Sequence, residues 1–167
     1  MTASHCNDAL LDEGQSVLVM EGHMDPQNLD MQWHRSTGRQ IWSYFAWNLT
    51  NGIQQNRQVA GTGFPVIGGS ICKYGQTTGH GCSTTLSGPG TVSYPNHPGP
   101  TYKIYSTTAY ITSGGDSGGP WFVGNTAIGI HSGHAVFRGQ SRSLYTAISA
   151  IQANSNIRVV TNCTSPC

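Results

Sequence analysis

The sequence predicts an all-β protein built from many short strands, and three observations carry that prediction. Glycine is abundant at 22 of 167 residues, while Lys and Arg number only 8 and Asp and Glu only 7. Apolar and aromatic residues come in short runs bounded by Gly, Pro, Asp and Ser, which is how strands joined by turns read. Helical spacing is confined to the end of the chain, where Leu144, Ile148 and Ile151 fall on one face of 144–154.

Taken in order, 17–21 (Val-Leu-Val-Met-Glu) and 29–34 (Leu-Asp-Met-Gln-Trp-His) are expected as strands. A third strand is expected over 40–47, where Trp42, Tyr44, Phe45 and Trp47 give bulky inward faces. The polar stretch 50–58 reads as a link between two halves. Strands are then expected over 64–72, 101–111, 121–130 and 135–146, and a short terminal helix over 144–154. The second half, from about residue 60, accounts for a barrel of some six strands; the first has about three, too few to close an equivalent barrel. No internal repeat or long low-complexity tract is visible.

The composition excludes several classes. A formal charge of +1 gives no electrostatic reason to expect nucleic acid as a partner. No apolar run reaches the roughly 18 residues of a membrane helix. Cysteines stand at 6, 72, 82, 163 and 167. Cys72 and Cys82 look like a local disulfide, Cys163 and Cys167 can close a small C-terminal ring, and Cys6 is left over. A metal site is not expected, because no Cys-x2-Cys pair or compact His/Cys cluster is present. Asn48-Leu-Thr50 and Asn162-Cys-Thr164 fit the glycosylation pattern and agree with a secreted, disulfide-forming protein, although no signal peptide is visible at Met1.

The most specific chemistry lies in Gly115-Asp116-Ser117-Gly118-Gly119-Pro120. A serine hydroxyl is a poor nucleophile without a base. The glycines around Ser117 allow the tight curvature that would bring the Gly115 and Ser117 N–H groups onto a developing oxyanion. His5 is the candidate base and Asp30 its orienter, so the order along the chain is His, Asp, Ser. Asp25 and Asp12 are rivals, but Asp25 precedes Pro26 in an expected turn, whereas Asp30 sits in an apolar run where a buried charge needs a purpose. Asp116 is read as holding the serine loop. His23, His34, His80 and His97 are taken as structural or surface residues.

These motifs resemble the trypsin/chymotrypsin-type serine peptidases, especially their short bacterial streptogrisin-like branch. Thr2-Ala3-Ser4-His5-Cys6 resembles the histidine motif, with Ser4 where alanine is usual, and Leu29-Asp30-Met31 the aspartate motif. Ile71 to Gly79, ending at Cys82, is similar to a disulfide-closed segment of that branch, and Gly129-Ile130-His131-Ser132-Gly133 to the strand lining the primary pocket.

The resemblance implies a chymotrypsin-like double β-barrel: 1–58 as part of an incomplete first barrel carrying His5 and Asp30, and 59–167 as the second barrel carrying Ser117. It implies that the Ser132 hydroxyl supports Asp30 and that the Ser132–His134 backbone pairs with extended substrate. His134 stands where glycine is common. His131 resembles the pocket histidine of glutamate-specific endopeptidases, which leaves two readings open: cleavage after Glu, or a pocket for small or mixed side chains. Several strands would precede the histidine motif in a full family member, so the chain is expected to be an N-terminally shortened form.

The expected activity is hydrolysis of polypeptide through an acyl-enzyme, by a monomer, without metal or organic cofactor. Three rivals remain. An inactive secreted homologue would keep the fold without turnover. A serine esterase fits Gly-x-Ser-x-Gly, but the α/β-hydrolase order puts histidine after the serine. A carbohydrate-binding module would use Trp33, Trp42 and Trp47, which read better as core.

Overall fold

A computed structural model describes residues 1–6, 10–12, 17–24, 28–35, 43–94 and 102–163, without the side chains of 6, 10–12, 17 and 18. The expectations for Asp12, Asp25, Trp42, His97, the thiol of Cys6 and Cys167 therefore lie outside the described residues.

The all-β expectation holds. A short 3-10 turn at Ser4–Cys6 is followed by β1 (Leu10–Asp12), β2 (Val17–His23) and β3 (Gln32–Arg35), which form a three-stranded antiparallel sheet. Next come β4 (Tyr44–Thr50) and β5 (Ile53–Gln58), paired as a hairpin. The stretch read as a polar link is thus a strand. Gln54 and Asn56 are exposed, Gln58 donates to the Cys163 carbonyl at 3.1 Å, and all six residues of the strand pair with β4.

The remaining strands are β6 (Gly61–Thr62), β7 (Ser70–Gly75), β8 (Gly79–Val92), β9 (Tyr102–Thr107), β10 (Pro120–Val123), β11 (Thr126–Phe137) and β12 (Gln140–Ala147). Their order is β10-β7-β8-β9-β12-β11-β6, and β10 also pairs with β11, so six strands close into a ring with β6 attached in parallel to β11. Closure removes the sheet edges that would otherwise invite mispairing. The helix α1 spans Ile148–Ala153. Residues 144–147, placed in the helix by spacing, end β12 instead, because Leu144 and Tyr145 pair with Ser106 and Tyr105 on β9.

Three buried clusters hold these elements. Ile71, Trp121, Ile128 and Tyr145 join β7, β10, β11 and β12, with Trp121 and Tyr145 stacked at 5.1 Å. Tyr102, Ile104 and Leu144 join β9 to β12. Met24, Leu29, Met31, Ile130, Ile148 and Ile151 pack the loop before β3 against β11 and α1. The β4–β5 hairpin is fastened by aromatic contacts: Phe45 lies 4.6 Å from Phe122, and the Arg57 guanidinium stacks on Trp47 at 4.2 Å. Cys72 and Cys82 face each other across β7 and β8 in a disulfide.

The third cluster sets a stability test. Ile151→Ala removes a side chain only 1% exposed and is expected to cost about 2–5 kcal/mol in urea unfolding. Leu49→Ala, at a side chain 53% exposed, is expected to change stability by less than about 0.5 kcal/mol.

Candidate active site

Thr2 pairs in antiparallel fashion with Gln32, through N–H to carbonyl bonds of 3.0 and 2.9 Å. This bridge lays the Ser4–Cys6 turn beside the loop that enters β3. In that loop Asn28 adopts a left-handed φ of 58°, and the Asn28 carbonyl accepts from the Lys103 N–H at 2.8 Å, tying the loop to β9. Leu29 and Met31 turn into the core, and Asp30 between them is fully buried. Asp30 therefore lies just before β3 rather than within a strand.

Buried carboxylates require donors. Asp30 Oδ1 accepts from the His5 N–H at 2.9 Å and from Ser4 Oγ at 3.0 Å, while Oδ2 lies 2.7 Å from His5 Nδ1. The other imidazole nitrogen, Nε2, lies 3.1 Å from Ser117 Oγ. With Nδ1–H donated to the carboxylate, Nε2 is free to accept the serine proton. The structure thus brings His5, Asp30 and Ser117 into one chain of hydrogen bonds.

Ser117 sits on a loop gripped from both sides. The Gly118 N–H donates to the His131 carbonyl at 2.9 Å, and the His131 N–H donates to the Gly119 carbonyl at 2.8 Å. Gly115 takes a φ of 91°, which a side chain would strain, and a Cβ there would also meet Thr77 Oγ1. Within the loop the Asp116 N–H donates to Ser113 and the Gly119 N–H to Asp116. Among the described residues no acceptor faces the N–H groups of Gly115 and Ser117.

The loop is anchored by Asp116, which is 1% exposed. Its carboxylate accepts from the N–H groups of Thr77 (2.8 Å), Thr78 (3.0 Å) and Ser113 (3.0 Å), and from Thr78 Oγ1 (2.5 Å). Lys73 Nζ, also buried, lies 3.5 Å away and donates to the Gly79 carbonyl and to Thr78 Oγ1. A side chain at Gly75 would run into the carboxylate. Burial opposes ionisation of Asp116, but the Thr78 hydroxyl and the three N–H donors outweigh it and hold the group at about 2. Burial also pulls the Lys73 ammonium below the ordinary lysine range, against the attraction of Asp116.

The four residues expected to bind substrate lie on β11. His131 is 2% exposed. Burial lowers it to about 4, so the ring is neutral near neutrality; Asp116 and a backbone hydrogen bond to Leu144 pull the other way. Trp121 Nε1–H donates to His131 Nδ1 at 3.4 Å, which places the ring proton on Nε2. Gly133 and His134 pair with Leu144 and Ser143 of β12, while β10 pairs with β11 only as far as Ile130. Among the described residues the other edge of 132–134 therefore carries no strand. His134 is exposed, with its ring 5.0 Å from Tyr110.

One implied contact is corrected. Ser132 Oγ lies 2.9 Å from Thr146 Oγ1, and the hydroxyl on Asp30 is that of Ser4. The register shift between His131 and Gly133 makes Ser132 the extra residue of a bulge, and its side chain partners Thr146 on β12.

Two residues had escaped notice. Lys73 follows Ile71 and precedes Gly75 on the buried face of β7, so alternation alone marks it as an inward cation. Tyr94 ends the long polar run after β8; its ring lies 4.9 Å from His5 and packs over Gly133. Only its place before Pro95 marked it in the sequence.

No family model matches the chain. Serine protease 1 of Streptomyces fradiae is 34% identical over 148 residues, covering 86% of this chain and 40% of that protein. Glutamyl endopeptidase 2 of Streptomyces griseus is 38% identical over 96 residues, covering 58% of this chain and 48% of its own length. The chain thus spans less than half of either relative. Among solved structures, a glutamic acid specific serine protease described as using a histidine triad in substrate binding superposes with a TM-score of 0.77 at 30% identity, covering 95% of this chain and 84% of that one. The fold and these likenesses are those of the trypsin/chymotrypsin-type serine peptidase family, and the chain belongs to its streptogrisin-like branch.

Two strongly depressed groups, His131 and Asp116, dominate the acid behaviour. The unfolded chain takes up a proton at His131 near 6.5 that the folded protein refuses down to about 4, so stability is full above that range and falls as pH drops through it. A second loss follows between 3.8 and about 2, as Asp116 protonates. Urea unfolding from pH 8 to pH 3 is expected to show the first step at on the order of 3 kcal/mol, and His131→Val is expected to remove most of it, leaving the smaller part due to His80, whose imidazolium is disfavoured by burial and by Arg57 and Lys73.

Proposed function

We propose that the protein is a serine endopeptidase in which His5, Asp30 and Ser117 act as the catalytic triad. The observation that carries this reading is the continuous path from Asp30 Oδ2 through both nitrogens of His5 to Ser117 Oγ, at 2.7 and 3.1 Å. His5 takes the serine proton as Ser117 attacks the peptide carbonyl, and Asp30 stabilises the imidazolium. The N–H groups of Gly115 and Ser117 receive the oxyanion. His5 then protonates the leaving amine and activates water to release the acyl group. An extended polypeptide adds alongside Ser132–His134, where no strand of the described residues pairs, the strand-addition mode that demands little of substrate side chains. The Cys72–Cys82 disulfide supports an oxidising, extracellular setting. Among the described residues no helix is long and apolar enough to cross a membrane.

For the residue before the scissile bond we propose glutamate. Two of the relatives above carry glutamate specificity in their names, and His131 supplies a buried neutral ring on β11, held by Trp121 and Leu144, that a nearby carboxylate would polarise. A carboxylate entering beside it provides a counter-charge and favours the imidazolium. Thr112 and Ser113, ahead of the serine motif, carry no negative charge to hold a Lys or Arg side chain.

Ser117→Ala is expected to abolish labelling by a fluorophosphonate probe and to reduce peptide turnover by at least about 10⁴-fold. Labelling and turnover that persist in this variant would reject the triad. His131→Ala is expected to depress cleavage after Glu selectively across a set of peptides differing at that position. An unchanged profile would instead favour a pocket for small or mixed side chains.

A further inference from the structure

We infer that Ser4 is a positioning residue whose hydroxyl, in the place implied for that of Ser132, fixes the carboxylate of Asp30 toward His5; this rests on the triad reading above. Both groups are out of solvent, Ser4 at 3% and Asp30 at 0% exposure. A carboxylate gripped by a single donor can turn about that bond. Here Oδ1 receives two, the His5 N–H at 2.9 Å and Ser4 Oγ at 3.0 Å, which leaves Oδ2 directed at His5 Nδ1. All three contacts come from adjacent residues of one 3-10 turn, Ser4–Cys6. The turn that carries the imidazole therefore also clamps the group that orients it.

The Ser132 hydroxyl is occupied elsewhere. It is fully buried and lies against Thr146 Oγ1 at 2.9 Å. Without Ser4, Asp30 would keep only the two donors of His5 among the described residues, and the carboxylate plane would be set by the residue it is meant to set. Hydrogen bonds to an ionised acceptor are the stronger class, so one such donor is enough to matter to a proton relay.

The test compares Ser4→Ala, Ser4→Thr, Asp30→Asn and the double variant Ser4→Ala with Asp30→Asn, each first checked for a wild-type melting profile. Ser4→Ala is expected to lower kcat about 10-fold at unchanged KM, a change of about 1.4 kcal/mol in barrier. Ser4→Thr, which keeps the hydroxyl, is expected to restore most of it. In the Asp30→Asn background Ser4→Ala is expected to cost nothing further, because the hydroxyl acts through that carboxylate. The low-field proton resonance of His5 Nδ1–H is expected to be displaced in Ser4→Ala and to return in Ser4→Thr. Wild-type kcat with an unmoved resonance in Ser4→Ala would overturn the inference, as would an undiminished 10-fold loss in the Asp30→Asn background. A protein without Ser117-dependent turnover whose resonance is still displaced by Ser4→Ala would reject the hydrolase reading and uphold the Ser4–Asp30 contact.

Discussion

The nucleophile loop depends on one carboxylate that has no access to water. Asp116 is next to Ser117 in sequence, yet its side chain faces away from the reaction and into the base of β7 and the turn after it. Burying that charge alone would be prohibitive. It is tolerable because the chain turns three N–H groups and a hydroxyl onto it and brings Lys73 up from the inward face of β7. Those demands fix the backbone from Ser113 to Asp116, and that backbone fixes Ser117. The absence of a side chain at Gly75 follows from the same constraint, since the carboxylate occupies the space a Cβ would need.

A common pattern runs through the site. Each reactive side chain stands one residue or a few from a pair of backbone hydrogen bonds joining distant segments. Thr2 with Gln32 brings the histidine turn to the aspartate loop, and Gly118 and Gly119 with His131 bring the serine loop to β11. Backbone pairs lose little freedom when side chains exchange rotamers, so the His5–Ser117 separation is set by the fold more than by the two side chains. For the proposed triad this would be preorganisation, with dipoles in place before charge develops. His131 contributes differently. It lends the serine loop its backbone while its ring stays buried and neutral between Trp121 and Leu144.

Much of this was legible in the residues, and the gaps have physical causes. The serine loop could be read because its glycines and charge form a rare string. The strand-rich second half could be read from short apolar runs between turn signals, but its bounds could not: 121–130 crosses the turn between β10 and β11, 135–146 the turn between β11 and β12, and 64–72 meets β7 only from Ser70. β8 could not be read at all: Gly79–Val92 is mostly Gly, Ser and Thr and has only one buried side chain, Thr85, so it lacks the amphipathic signature of a strand. β5 was hidden for the same reason, because Gln54, Gln55, Asn56 and Gln58 read as linker while their backbone pairs with β4. Leu144 fits a helical period only by coincidence with Ile148 and Ile151, which belong to the next element. The partner of Asp30 depended on a one-residue bulge at Ser132, and residue types do not announce a bulge.

The hydrogen bond between His5 and Ser117 spans 112 positions of the chain, and the one between His5 and Asp30 spans 25. Contacts so far apart in sequence are slow to form, because loop-closure entropy must be paid before they return any energy. A nascent or partly folded chain would therefore carry the serine motif without the imidazole of His5 beside it. The relay completes itself only when the six-strand ring and the sheet before it have docked. If the proposed triad is correct, folding is also its timing device, since His5, Asp30 and Ser117 come together only in the assembled molecule.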